Sequence, residues 1–223
     1  MTPAPVARPK IFCLSFQKVG TTSLHEFLLA SGLTRCHGPH HVDGIDYMEK
    51  VRAVDDDPAR VADVLGPVIE RFDAHCDVPW PGLYEAMAER HLEARFILMT
   101  RDPDAWWESI SSHWSLGLFD HDLTPFEYVQ YQPYLDGGKR VVSRKDKSRL
   151  LDAFRRHIEE VPRRLSGRKL LVLDLQEEGK AAKLADFLDL AVAGPYPHSK
   201  KSDVARKGRR MFKNIKRRLV AQS

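Results

Sequence analysis

Apolar residues along this chain gather in four short runs: IFCLSF (11–16), RFDAHC (71–76), RFILMT (95–100) and KLLVLDL (169–175). Each has the length of a buried strand and is bounded by turn or helix signals. Between the runs the spacing turns helical. Leu24, Phe27, Leu28 and Ala30 recur along 21–31, and 82–91, 103–114, 148–161 and 179–190 carry similar faces. Strands alternating with helices predict an α/β fold: a parallel sheet of about four to five strands between helical layers, with right-handed crossovers. No internal repeat or low-complexity linker divides the chain, so the pattern predicts one domain over 1–223 with a flexible 1–9. Residues 115–147, with Pro125, Pro133 and Gly137–Gly138, are the least regular and predict a lid or binding insertion.

In such sheets ligands bind outside the carboxyl ends of the strands. The segments that follow the strands are QKVGTT, DVPWPG, RDPDAW and QEEG. In the first, a strand gives way to a tight turn and a helix that starts near Thr21–Thr22. Gly20 allows a positive φ or the close approach of a ligand. Backbone N–H groups of Val19 to Thr22, hydroxyls of Thr21, Thr22 and Ser23, and the Lys18 ammonium together suit an anion. The same residues also fit an ordinary strand–helix turn capped by threonine. The order differs from G-x-x-x-x-G-K-[ST], because Lys18 precedes Gly20 and no hydroxyl follows the lysine directly.

At the third strand's end, RDPDAWWES offers Asp102 as a helix cap, Pro103 at the first helical position, Arg101 at the strand tip and Ser109 on the second helical turn. A guanidinium and a hydroxyl so placed can grip one phosphate. The competing reading is an Arg101–Asp104 surface pair beside a solvated serine. Trp106 and Trp107 read as core residues before base-stacking ones.

Composition narrows the class. At 223 residues, 43% hydrophobic and 30% charged, the chain is that of a globular protein. It has no apolar run of membrane-spanning length and no apolar N-terminal signal. Three cysteines without CxxC spacing read as reduced thiols, so a cytoplasmic setting is expected. The net charge of +4 hides an asymmetry. Residues 199–223 hold ten Lys/Arg against Asp203, or +9, which leaves −5 elsewhere. A basic tail on an acidic body predicts an anionic partner. In that tail Met211, Phe212, Ile215 and Leu219 share one helical side, a pattern for covering a nucleotide, docking on the body or lying on an anionic membrane.

Taken together, QKVGTTSL, RDPDAWWES and ARKGRRMFKN resemble the three cofactor elements of the P-loop-fold sulfotransferases that use 3′-phosphoadenosine 5′-phosphosulfate (PAPS). The resemblance covers about 11–31, 71–113 and 169–214. It implies that Lys18, Val19, Gly20, Thr21, Thr22 and Ser23 cradle the 5′-phosphosulfate. It likewise implies that Arg101 and Ser109, eight residues apart, bind the 3′-phosphate, and that Arg206, Lys207 and Gly208 close over the nucleotide. Ser23 departs from the pattern, standing where many members carry a tryptophan that stacks on adenine. The resemblance implies transfer of a sulfuryl group to a hydroxyl or amine of a small-molecule, glycan or lipid acceptor, with Lys18 meeting the charge on the leaving oxygen. No metal is expected.

Family members place a histidine or carboxylate where CDVP puts Asp77, so Asp77 is the expected base, with His75 second. Asp73, His75 and Asp77 would share one face if the strand runs that far. Asp77 as a helix cap or a structural ion-pair partner is the competing reading. CHGPHH offers Cys36, His37, His40 and His41, but their spacing matches no standard metal frame, and the stretch reads as a pocket border or a turn. Asp174 reads as a strand-end cap before a Walker-B-like acid. Two other functions stay open here: a P-loop small-molecule kinase, and a non-catalytic nucleotide or anion binder that uses the basic tail.

Overall fold

A computed structural model describes residues 8–135, 138–191 and 194–197. Arg206, Lys207, Gly208 and the tail's apolar side lie outside these residues. A five-stranded, fully parallel sheet forms from β1 (Ile11–Cys13), β2 (Arg35–His37), β5 (Ala74–Cys76), β6 (Arg95–Thr100) and β9 (Lys169–Asp174), in the order β2-β5-β1-β6-β9. Strand β1 is central. The segment leaving its carboxyl end is therefore flanked by those leaving β5 and β6, the arrangement in which an α/β sheet opens a ligand crevice.

Helices cover both faces. On one, α1 (Thr21–Ala30), α6 (Pro103–Trp114), α8 (Lys147–Arg164) and α9 (Lys180–Leu188) pack Phe27, Trp106, Phe154 and Leu184 against Cys13, Ile97 and Leu173. On the other, α2 (Tyr47–Arg52), α3 (Pro58–Val64), α4 (Gly66–Arg71) and α5 (Tyr84–Arg90) pack Val51, Val61, Ile69 and Met87 against Phe12, Phe96 and Leu98. Alternate β6 residues thus point into different cores, which explains its unbroken apolar run. Side strands β3 (His41–Val42) and β4 (Ile45–Asp46) pair antiparallel, as do β7 (His121–Asp122) and β8 (Val141–Val142).

Several boundaries differ from the sequence expectation. The 11–16 run is strand only to Cys13, although Leu14, Ser15 and Phe16 stay buried. The ladder's last backbone bond there is Leu14 N–H to the Ile97 carbonyl at 2.8 Å, after which side chains take over: Ser15 Oγ accepts the Met99 N–H at 2.6 Å, and His157 Nε2 lies 2.6 Å from the Leu14 carbonyl oxygen. The 71–76 run is strand only from Ala74, because GPVIER is helical up to Arg71. The described residues of 115–147 form more regular structure than their turn residues suggest. They contain α7 (Pro125–Tyr131), a helix buried along its whole length and closed by a Thr124/Glu127 capping box.

Candidate active site

The turn after β1 is held by the element that follows β6. Arg101 Nη1 donates to the Lys18 carbonyl at 2.9 Å, and the Trp106 indole N–H donates to the Gln17 carbonyl at 3.0 Å. These two bonds clamp Lys18, whose φ of 72° is unfavourable for a side-chain-bearing residue. The indole stacks on Phe154 at 4.5 Å and is fully buried, so the clamp stands on the core. Arg101 therefore reaches inward across the strand ends rather than outward to Asp104, which lies 3.8 Å from Lys147. Burial shifts the Arg101 guanidinium down from its ordinary value, with Asp102 opposing. Its Nε is buried without a hydrogen-bond partner among the described residues.

Gly20 begins α1 at φ 94°, and a Cβ there would meet Leu175 Cδ1 at 2.6 Å. No side chain caps this helix, and its first turn carries no acid. A ten-residue helix entered this way presents its N-terminal N–H groups and dipole to an anion. Thr21 is buried there, and Thr22 and Ser23 are half-buried. Asp102 accepts from the Ala105 N–H at 2.8 Å to start α6, which carries half-buried Ser109 on its second turn.

Asp77 follows β5, beside the β1 turn in the sheet. Its Oδ2 lies 3.4 Å from His37 Nε2, its side chain is 24% exposed, and its φ is 72°. Oδ1 is buried without a hydrogen-bond partner among the described residues. Burial raises the carboxyl above its usual range. The His37 charge and the Val78 N–H pull the other way, and Glu127 adds to the rise. His75, the alternative base, is elsewhere. The strand ends at Cys76, and His75 points into the opposite core, fully buried between Phe12 (5.0 Å) and Trp80 (4.7 Å). Burial, with the Lys10 charge, pulls its imidazole down to about 3. It therefore does not share a surface with Asp77.

Three groups have roles that the sequence did not signal. His37 partners Asp77 from β2, and His25 of α1 lies 4.4 Å behind it, ring to ring. Burial first, then the charges of His37 and Arg35, drive His25 down to about 3. Glu127 on α7 is 5% exposed and collects five donors: Gln17 Nε2, the Trp114 indole, His121, and the Thr124 N–H and hydroxyl. It joins the β1 turn to α6 and the 115–147 insertion. The local trace that could have drawn attention to it is the T-x-x-E spacing of Thr124 and Glu127. Among the described residues no group of His, Cys, Asp and Glu could hold a metal, and no helix is long and apolar enough to cross a membrane. Asp174 accepts from the Gln176 N–H at 2.8 Å, closing a turn, while Gly179 starts α9.

A family model described as "Sulfotransferase domain" matches residues 10–205. Among solved structures, the chain is similar to a crystallised sulfotransferase from Alicyclobacillus acidocaldarius, with a TM-score of 0.51 at 15% identity over 90% of this chain and 88% of that one. No curated protein matches.

Proposed function

Because the chain belongs to the sulfotransferase-domain family, we propose that it transfers a sulfuryl group from PAPS to a hydroxyl of its acceptor, the base at Asp77 favouring a hydroxyl over an amine. What carries the donor assignment is the Lys18–Gly20 turn, clamped by Arg101 and Trp106 at the sheet's central crevice. The residues fit a two-phosphate nucleotide. Gly20 turns the chain into α1 at a positive φ, the first turn of α1 supplies N–H groups to the 5′-phosphosulfate, and Arg101 and Ser109 take the 3′-phosphate. Arg206, Lys207 and Gly208 are assigned to the same nucleotide on the RKG resemblance alone.

PAPS supplies an already activated sulfuryl group. Lys18 meets the negative charge that grows on the bridging oxygen as its bond to sulfur breaks. Asp77 Oδ1 takes the acceptor's hydroxyl proton as that oxygen bonds to sulfur, and His37 holds Oδ2. Burial raises this carboxyl, and in its ionised form it is a better base than an ordinary carboxylate. Reactant alignment supplies the rest of the acceleration. The setting is taken as cytoplasmic, and the basic tail as covering the nucleotide or touching an anionic surface.

Thermal unfolding with 3′,5′-adenosine bisphosphate or with ATP plus Mg²⁺ tests this. Stabilisation by the bisphosphate in a chelator, lost in Arg101→Ala, is expected. A response to ATP–Mg²⁺ alone would favour a kinase and overturn the assignment.

A further inference from the structure

Across from the Lys18 turn, hydrogen-bonding groups are buried without being used. Gln130 is fully buried, and neither its amide nitrogen nor its oxygen has a hydrogen-bond partner among the described residues. The Tyr131 hydroxyl, Gln17 Oε1 and Asp77 Oδ1 are in the same condition. Buried groups of this kind normally find partners, because each orphan costs its full desolvation. Four in one neighbourhood call for an explanation.

They do share a neighbourhood. Glu127, Gln130 and Tyr131 stand at i, i+3 and i+4 on α7, and therefore on adjoining positions of its surface. Glu127 Oε1 accepts from Gln17 Nε2 at 3.3 Å, which brings that surface to the end of β1. The Tyr131 ring meets Phe16 at 4.9 Å. The other flank of α7 packs against the turn after Asp77, so closely that a Cβ on Gly82 would lie 2.1 Å from the Val129 carbonyl oxygen. Helix α7 thus bridges the carboxyl ends of β1 and β5. Burial, then the charges of Glu127 and Asp77, push the Tyr131 phenol well up, while the Gln130 side chain, close to it but outside hydrogen-bond geometry, pulls the other way.

We infer that Gln17, Gln130, Tyr131 and Asp77 Oδ1 form the acceptor subsite, and that it takes a neutral polyhydroxylated acceptor of the carbohydrate or cyclitol class. This rests on the sulfotransfer reading above. The set mixes donors (the Gln130 amide N–H groups, the Tyr131 hydroxyl) with acceptors (the Gln130, Gln17 and Asp77 oxygens), and neighbouring hydroxyls, each able to donate and accept, match it. A phenol brings one hydroxyl and would press its ring on the remaining polar atoms. An alkylamine, protonated near neutrality, has no lone pair with which to accept from Gln130 or Tyr131. An anion would face the carboxylates of Asp77 and Glu127.

Simple stand-ins for the natural acceptor are enough to test this. Thermal unfolding is followed for the wild type, Gln130→Leu and Tyr131→Phe, each saturated with 3′,5′-adenosine bisphosphate and titrated with methyl α-glucopyranoside, myo-inositol, 4-nitrophenol or butylamine. If the groups are held for a ligand, both variants melt at the wild-type temperature or roughly 2–4 °C above it, since an unused polar group has been removed from the interior. At least one polyol then raises the wild-type midpoint saturably and moves neither variant. Either variant melting several degrees lower would show that its polar group is structural and overturn the inference. So would a panel in which no polyol registers, or in which 4-nitrophenol or butylamine registers alone. Failure of the bisphosphate itself to stabilise the wild type would instead sink the sulfotransfer reading.

Discussion

Replacing Glu127 by glutamine removes a buried negative charge at the junction of the β1 turn, α6 and the 115–147 insertion. Burial alone would raise this carboxyl. The bond and charge of His121, the Thr124 N–H and the Trp114 indole outweigh it and bring the group down to about 2. Against the ordinary ~4.3 of a glutamate, that difference corresponds to about 3 kcal/mol of native-state stability at neutral pH. The sign follows from the lowered folded value: the contribution is present above pH ~4.3 and is lost as the pH falls toward the folded value. Roughly 1 kcal/mol of it remains at pH ~3. Glutamine has no charge and turns an N–H group toward donors that Glu127 now accepts from. Urea unfolding of Glu127→Gln at pH 7 should therefore show a lower midpoint equivalent to about 3 kcal/mol, with the m-value unchanged. The gap to the wild type should narrow as the pH is lowered toward ~3. A midpoint equal to the wild type at pH 7, or a gap that widens in acid, would refute the assignment of Glu127 as a buried, ionised junction.

Gly20→Ala puts a Cβ against Leu175 Cδ1 at φ 94° and should cost about 1–2 kcal/mol in thermal unfolding from the backbone alone. Adding Leu175→Ala should recover the steric part only, and full recovery would show that the positive φ is unimportant. Lys18→Ala should abolish sulfuryl transfer while near-UV circular dichroism stays native, and turnover that survives removes Lys18 from the leaving-oxygen role. Asp77→Asn should lose transfer yet bind 3′,5′-adenosine bisphosphate as the wild type does. In the wild type the rate should rise with pH through an Asp77 value above the ordinary ~3.9, because burial holds the proton on and only the ionised form is a base. A rate independent of pH across that range, or a near-normal Asp77→Asn enzyme, would remove Asp77 as the base.

Much of the fold was legible where local signals agreed. RFILMT reads as a strand buried on both faces and is β6 to the residue, and D-P-x-x-W fixes both the cap and the first position of α6. The phosphate-like turn could be read from Lys18 and Gly20, because glycine and helix-start chemistry are local. What holds that turn was not legible: Trp106 and Arg101 reach it from 89 and 83 residues away, and no local pattern encodes such a contact. Helices α2 and α3 did carry signals in Asp46 and in Asp57–Pro58, whose carboxylates cap them, but their short apolar faces were hidden among charges. His75 stood second to Asp77 because alternation along a continuing strand would put both on one face. The strand stops at Cys76, and Asp77 leaves it at a positive φ, so the alternation does not extend to Asp77. The roles of His37 and Glu127 were missed because they depend on the pairing of β2 with β5 and on the burial of α7.

The central claim, a metal-independent site for a nucleotide with phosphates at both 3′ and 5′, is tested most directly by titration calorimetry in a chelator with 3′,5′-adenosine bisphosphate and 5′-AMP. The account predicts one site that binds the bisphosphate at least about tenfold more tightly than 5′-AMP, since Arg101 and Ser109 add charge-assisted bonds to the second phosphate. Equal affinity for the two nucleotides, or binding of ATP–Mg²⁺ alone, would contradict it.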